Sequence, residues 1–190
     1  MTVTSIGSVK KVLPKTYHHR KRLLSEVMVV MSRYKYLEPV MDRFVFNNGT
    51  AKDLLSLVGT VTVLYQGRLY NIPLCLWLDE SFPRTAPICF VKPTKEMMIV
   101  PSTHVNSDGQ IMLPYLEEWR HSQCDLHSLI QVLMSIFGEA PPLVMRPGNH
   151  QHETIFSNSI ISSSDTFLSH RLLLLCVCNH TAHVSCVVLS

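Results

Sequence analysis

The chain is short of charge. Only 16% of its 190 residues are Asp, Glu, Lys or Arg, and the formal net charge is +3. A balance this mild argues against nucleic acid as the partner, because the basic residues are spread out rather than gathered into a stripe. The one local exception is His18-His19-Arg20-Lys21-Arg22. It reads first as a solvated helix start, with an acidic lipid or acidic partner as the functional alternative. No secretory leader is expected either: Met1-Thr-Val-Thr-Ser-Ile-Gly has no hydrophobic region of that kind. No run approaches the roughly 20 apolar residues of a membrane span. The nearest, from Leu172 to Cys178, is short and is followed by Asn179-His180. Without a secretory route, the sequons at Asn48 and Asn179 are expected to stay unmodified. The six irregularly spaced cysteines then read as reduced thiols rather than a disulfide framework.

Hydrophobic content is 46%, enough for one domain with a substantial core. Residues from about 5 to 36 have helical character. Leu23-Leu24, Val27, Val30-Met31 and Tyr34 recur at helical spacing, and Pro14 separates a short first helix from the longer one. Residues from about 43 to 92 suggest an antiparallel meander of four strands. Phe44-Val45-Phe46 precedes the turn signal Asn47-Asn48-Gly49, and a β-branched run from Leu57 to Tyr65 precedes a hairpin turn at Gln66-Gly67. Tyr70, Ile72, Leu74, Leu76 and Leu78 share one face of the next strand, and Asn71, Pro73, Cys75 and Trp77 share the other. Pro73 implies an edge or a bulge. Ile88 to Val91 makes a fourth strand. A long packed loop is expected from about 93 to 121. A last helix is expected to start near Ser122, capped by Ser122 and Asp125 and stopped by Gly138 and Pro141-Pro142.

After Pro147 the text becomes Ser-rich and then apolar without period. Residues 148–190 are expected to be a disordered tail outside the domain. Cys176, Cys178, His180, His183 and Cys186 are metal-ligand types, but their crowding does not fit a standard zinc site, so no metal and no cofactor is expected.

The order of elements is similar to the ubiquitin-conjugating-enzyme fold, an α+β architecture. Phe82-Pro83-x-x-x-Pro87 resembles its strand-connecting signature. The match tightens over Phe44-Val-Phe-Asn-Asn-Gly49, Tyr65-x-Gly67-x-x-Tyr70-Asn-Ile-Pro-x-Cys-Leu-Trp77, Pro87 to Thr94, and Leu113-Pro-Tyr-Leu-x-x-Trp119. Together these resemble the ubiquitin-conjugating-enzyme variant (UEV) domain of the ESCRT-I sorting subunits, over about residues 5–147. Active conjugating enzymes carry Gly-x-Ile-Cys-Leu where this chain has Gly109-Gln-Ile-Met112-Leu. A thioether cannot form the thioester that a thiolate forms, so the resemblance implies a fold without the reaction. Ser102-Thr103-His104 also lacks the family's oxyanion-stabilising Asn. Cys124, near a helix start, is the one cysteine near this loop, and a structural role is the expectation for it.

What the resemblance implies is recognition. Thr60, Tyr65, Tyr70, Asn71, Thr94, Met97, Pro141, Leu143 and Val144 match a groove for Pro-Thr/Ser-Ala-Pro late-domain peptides. Leu143-Val144 replaces a usual Val-Phe pair. Val45, Asn47, Asn48, Trp77 and Phe90 match a ubiquitin-contacting face, with Asn48 replacing an Asp but keeping an acceptor. The implied role is cargo sorting at multivesicular endosomes by a cytoplasmic protein recruited there. The alternative within the fold is a non-catalytic cofactor of an active conjugating enzyme in ubiquitin-chain synthesis. The parent family continues into a Pro-rich linker, a coiled coil and an assembly domain. The stretch after Pro147 resembles none of these, so assembly with other ESCRT-I subunits is not expected.

Overall fold

The structure, a computed structural model, describes residues 6–146, 176–178 and 184–186. Most of the stretch expected to form a tail therefore lies outside the described residues. Two helices come first, α1 (Ile6–Val12) and α2 (Arg20–Arg33). Four antiparallel strands follow in sequence order: β1 (Leu37–Val45), β2 (Ala51–Tyr65), β3 (Arg68–Leu78) and β4 (Ile88–Val91). A short strand β5 (Met97–Ile99), one helical turn α3 (Pro114–Glu117) and helix α4 (Leu126–Glu139) complete the core, with β6 (Leu143–Met145) returning to pair with β5. Strands β7 (Cys176–Cys178) and β8 (Val184–Cys186) pair with each other, and β7 sits beside β3 at Tyr70↔Val177.

The helical spacing in α2 buries Leu23, Val27 and Val30, and that in α4 buries Leu126, Leu129, Ile130, Leu133 and Phe137. Both stripes join one core with Tyr70, Ile72, Leu74, Leu76 and Leu78, the β3 face expected from alternation. The opposite face carries a second, smaller cluster around Leu54, Cys75 and Trp77. The sheet thus has a helix-covered inner face and an outer face with its own apolar patch.

Three boundaries depart from expectation. Strand β1 begins at Leu37, well before Phe44. Glu38, Asp42 and Arg43 break the apolar alternation, and Pro39 is tolerated because β1 is the outer strand of the sheet. Helix α4 begins at Leu126, and its cap is Asp125, whose Oδ1 accepts from Ser128 N at 2.7 Å. Ser122 lies in the preceding turn and takes no part. The Leu126 amide is held instead by Glu26 Oε2 of α2 at 3.1 Å, a bond across 100 residues of sequence. Gly138 does not stop the helix, which runs to Glu139. A Cβ there would lie 3.0 Å from the Leu64 carbonyl oxygen, so its bareness lets α4 approach the β2–β3 hairpin closely.

Pro73 sits inside β3 with β2 beside it, yet its position is a local edge. The β4 ladder ends at Leu74↔Val91, and the Pro73 carbonyl accepts from Lys92 N at 2.9 Å. Because the N and C=O of one strand residue point the same way, the missing N–H falls where β4 has stopped.

Candidate functional site

The hairpin that carries the expected peptide groove forms as the local sequence demands. Gln66 and Gly67 both have positive φ, 48° and 76°, the backbone of a two-residue hairpin turn. Val63 opposes Tyr70 across the ladder, so Tyr65 and Tyr70 share the inner face. Their ring centroids are 6.2 Å apart, tilted by 56°. Gln66 Nε2 donates to Tyr65 Oη at 3.0 Å, holding the half-buried ring at the hairpin tip.

The other wall comes from β5 and β6. Met97 opposes Met145 and Ile99 opposes Leu143, which puts the buried Met97 and Leu143 on one face of this pair. Val144 falls on the other face, opposite the exposed Met98. Pro141 is buried where the chain leaves α4. Thr94 opens the turn into β5: its carbonyl accepts from Met97 N at 3.1 Å and its hydroxyl donates to Glu96 at 2.7 Å. Arg146 ties the strand pair off, donating from Nε to the Met97 carbonyl at 3.1 Å.

The nine expected groove residues therefore do not share one surface. Tyr65, Tyr70, Met97 and Leu143 belong to one apolar cluster. Thr60 and Asn71 lie on the outer face of the β2–β3 ladder, where Thr62 Oγ1 donates to Asn71 Oδ1 at 2.8 Å. Asn71 follows Tyr70 in an extended strand, so opposite faces are obligatory.

The expected ubiquitin face is more coherent. Phe44 packs edge-on against Phe46, with centroids 4.8 Å apart, and lies 5.1 Å from Trp77. Phe90, Ile88 and Val58 pack on the same outer-face cluster. Trp77 is only 7% exposed and forms the floor, whereas Val45, 61% exposed, alternates with Phe44 and Phe46 along β1 and falls on the other face. The aromatic side chains that complete the patch, Phe44 and Phe46, were absent from the expected set. Their spacing of two residues ahead of Asn47-Asn48-Gly49 carried the signal. Asn47 is exposed beside them. Asn48 Oδ1 already accepts from Thr50 N at 3.0 Å and from Thr50 Oγ1 at 2.7 Å, so its acceptor serves the turn.

Met112 presents its thioether at the surface, 42% exposed, just before α3. Its backbone N donates to the His104 carbonyl at 2.9 Å, and Trp119 Nε1 locks the neighbouring turn to the Pro83 carbonyl at 2.7 Å. Asn106, ahead of it, accepts from Asp108 N and Gln110 N through Oδ1, which shapes the loop. Among the described residues, no exposed thiol stands nearby. Cys75, Cys89 and Cys124 are all buried. Burial pushes the Cys75 thiol up to about 11 and the Cys89 thiol upward as well. Cys124 precedes the α4 cap, and its Sγ accepts from Arg120 N at 3.4 Å, a structural use. Among the described residues, no group of three or more His, Cys, Asp or Glu side chains could hold a metal ion. His180 and His183 lie outside the described residues.

A helix pair, a four-stranded antiparallel meander and a closing helix, with Met112 exposed in the loop before α3, make an α+β frame of the conjugating-enzyme-like class. The UEV domain family matches residues 8–145, and the chain belongs to that family. It is 48% identical over 143 residues to the human Tumor susceptibility gene 101 protein, covering 75% of this chain and 36% of that one. The chain thus spans about a third of that relative's length. The fold is similar to the yeast vps23 UEV domain in complex with a vps27 PSDP peptide, with a TM-score of 0.61 and 22% identity over 77% of this chain and 94% of that one. It is equally similar to the Vps23 UEV in complex with ubiquitin, with a TM-score of 0.60 and 24% identity over 72% and 94%. Among the described residues, no helix is long and apolar enough to cross a membrane.

Proposed function

We propose that this chain is a catalytically silent recognition module that binds ubiquitin and Pro-Thr/Ser-Ala-Pro peptides in endosomal protein sorting. The observation that carries the reading is Met112, a surface thioether at the reactive position of the fold, with Cys75, Cys89 and Cys124 all buried. A fold that keeps its loop but loses the thiol retains only surfaces. Two are supported here. The outer-face patch of Phe44, Phe46, Phe90 and Trp77, with the exposed Asn47 beside it and Val45 at the end of β1, suits ubiquitin. At the hairpin tip the half-buried Tyr65, backed by the buried Tyr70, Met97 and Leu143, suits a proline-rich segment, which arrives extended and loses little entropy on binding. Solved complexes of structurally similar UEV domains, one with a PSDP peptide and one with ubiquitin, support these two ligand classes. The reading places the protein in the cytoplasm, recruited to endosomes through its ligands, with residues 5–147 as the working domain.

Incubation with ubiquitin-activating enzyme, ATP and ubiquitin should give no reducible adduct. An adduct that vanishes in Cys124→Ser would make this an enzyme after all. Ubiquitin should bind weakly, with a dissociation constant of about 0.1–1 mM, or about −4 to −5.5 kcal/mol. The rim is small and polar, and the aromatic floor is largely covered. Asn47→Ala should weaken the shifts seen in an NMR titration with ubiquitin. Unchanged shifts in that variant would remove Asn47 from the site.

A further inference from the structure

The helical N-terminal layer carries charge that neither surface uses. Residues 6–33 hold seven Lys or Arg against a single acidic residue, Glu26, a local excess of six, while the whole chain carries only +3. The remainder of the molecule is therefore net acidic, and the positive field is concentrated on one layer. Here the structure opens a hollow of about 650 Å³ between α1 and the start of α2, lined by Lys10, His18, His19, Lys21 and Arg22 around Arg20. No acidic side chain lines it.

The hollow has a fixed frame. Arg20 spends its guanidinium on the chain itself: Nη1 donates to the Leu13 carbonyl at 2.6 Å and to the Pro14 carbonyl, and Nη2 to the Lys10 carbonyl at 3.3 Å. It therefore braces the α1–α2 connection and leaves Lys10 and Lys21 to face a ligand from two sides. Arg22 is partly engaged by Glu26 at 3.0 Å. The 14-residue α2 has no acidic residue in its first turn, and His19 makes no side-chain cap bond. The amide dipoles at this end thus add to the positive field rather than being satisfied by a carboxylate.

We propose that this hollow binds the multiply phosphorylated headgroup of a membrane lipid. Concavity favours a compact polyanion over a nucleic acid backbone, which needs an extended stripe, and no Phe, Tyr or Trp lines the hollow for bases to stack on. A lipid is favoured over a free phosphate by what lies beside the cations. Met28 is 51% exposed two helical turns beyond Lys21 on the same face of α2. Cations at headgroup level with an exposed apolar side chain beside them form an arrangement that docks on a bilayer surface. The proposal stands apart from ubiquitin and peptide binding, which use other faces.

The test is sedimentation of the full 190-residue chain with three vesicle types. These are phosphatidylcholine alone, phosphatidylcholine with phosphatidylserine, and phosphatidylcholine with a phosphatidylinositol bisphosphate at matched total charge. Binding is expected to be strongest to the last. Lys10→Glu combined with Lys21→Glu should weaken it about tenfold or more, while Lys35→Glu, on the exposed turn after α2, should not. Met28→Ser should weaken vesicle binding and leave binding of soluble inositol trisphosphate unchanged. Unaltered ubiquitin titrations would show that each variant is folded. Equal binding to the phosphatidylserine vesicles, equal loss in Lys35→Glu, or tighter binding of a single-stranded RNA oligonucleotide would each overturn the proposal. So would a soluble headgroup that binds as tightly as the bilayer.

Discussion

Gly59→Ala should destabilise the domain by at least about 3 kcal/mol, a large share of the roughly 5–15 kcal/mol that holds a domain of this kind together. Gly59 has φ +148°, and a Cβ built on it would lie 1.7 Å from the Tyr36 carbonyl oxygen and 2.8 Å from its carbon. That carbonyl accepts from Thr60 N at 3.0 Å, and Leu37 pairs with Gly59 in the first register step of β1. The contact is backbone on backbone, so no side chain can swing aside. Relief requires moving the α2–β1 connection off β2. Gly67→Ala is the companion variant. It also has positive φ, +76°, but nothing lies within 4 Å of the added methyl, so only about 1 kcal/mol of backbone strain applies. Denaturant unfolding of both variants measures the difference. Equal, small losses would mean that Tyr36 does not cross Gly59 as described.

Tyr17→Phe should lower stability by about 1–3 kcal/mol while removing only one oxygen. Tyr17 lies in the α1–α2 connection, fully buried, with its hydroxyl inserted between β2 and β3. It donates to the Leu78 carbonyl at 2.8 Å and accepts from the Leu55 amide at 2.7 Å. Leu55 and Leu78 are the last register pair of the β2–β3 ladder, so the hydroxyl closes the end of the sheet. Phenylalanine would leave both backbone groups buried without partners. Burial pushes the phenol up to about 12, so it stays protonated and able to donate throughout the neutral range. The variant should shift the urea midpoint without changing the slope. A loss below about 0.5 kcal/mol would mean that the two backbone groups find water or each other.

Neither effect was legible in the sequence, and the reason is the same in both. Gly59 and Tyr17 act on backbone groups supplied by distant segments, and a one-dimensional pattern carries no record of them. Local chemistry was legible. The Gln66-Gly67 turn, the alternating face of β3 and the apolar stripes of α2 and α4 each follow from neighbours within a few residues. The start of α4 shows where that reach ends. Ser122 looked like a cap because spacing alone favoured it, whereas Asp125 and the remote Glu26 satisfy the first turn. The two proposed binding surfaces divide in the same way. The outer patch of Phe44, Phe46 and Trp77 is built on strand alternation. The groove depends on how the β2–β3 hairpin meets a β5–β6 pair whose strands are three residues each. No periodicity can announce strands that short, and the split of Asn71 from Tyr70 follows once the strand is known.

The central claim, that the fold survives as a recognition module, is tested most directly by titrating the protein with a Pro-Thr-Ala-Pro peptide and a scrambled control. The expected dissociation constant is tens to hundreds of micromolar, about −4.5 to −6.5 kcal/mol. Leu143 and Val144 place it toward the weaker end, since Leu143 is buried and Val144 offers no aromatic wall. Tyr65→Ala should cost about 1–2 kcal/mol of that affinity by removing the ring that packs against Tyr70. Ubiquitin binding should be unchanged in the same variant, because its surface is the opposite face of the sheet. Equal affinity for the two peptides, or no change in Tyr65→Ala, would contradict the account.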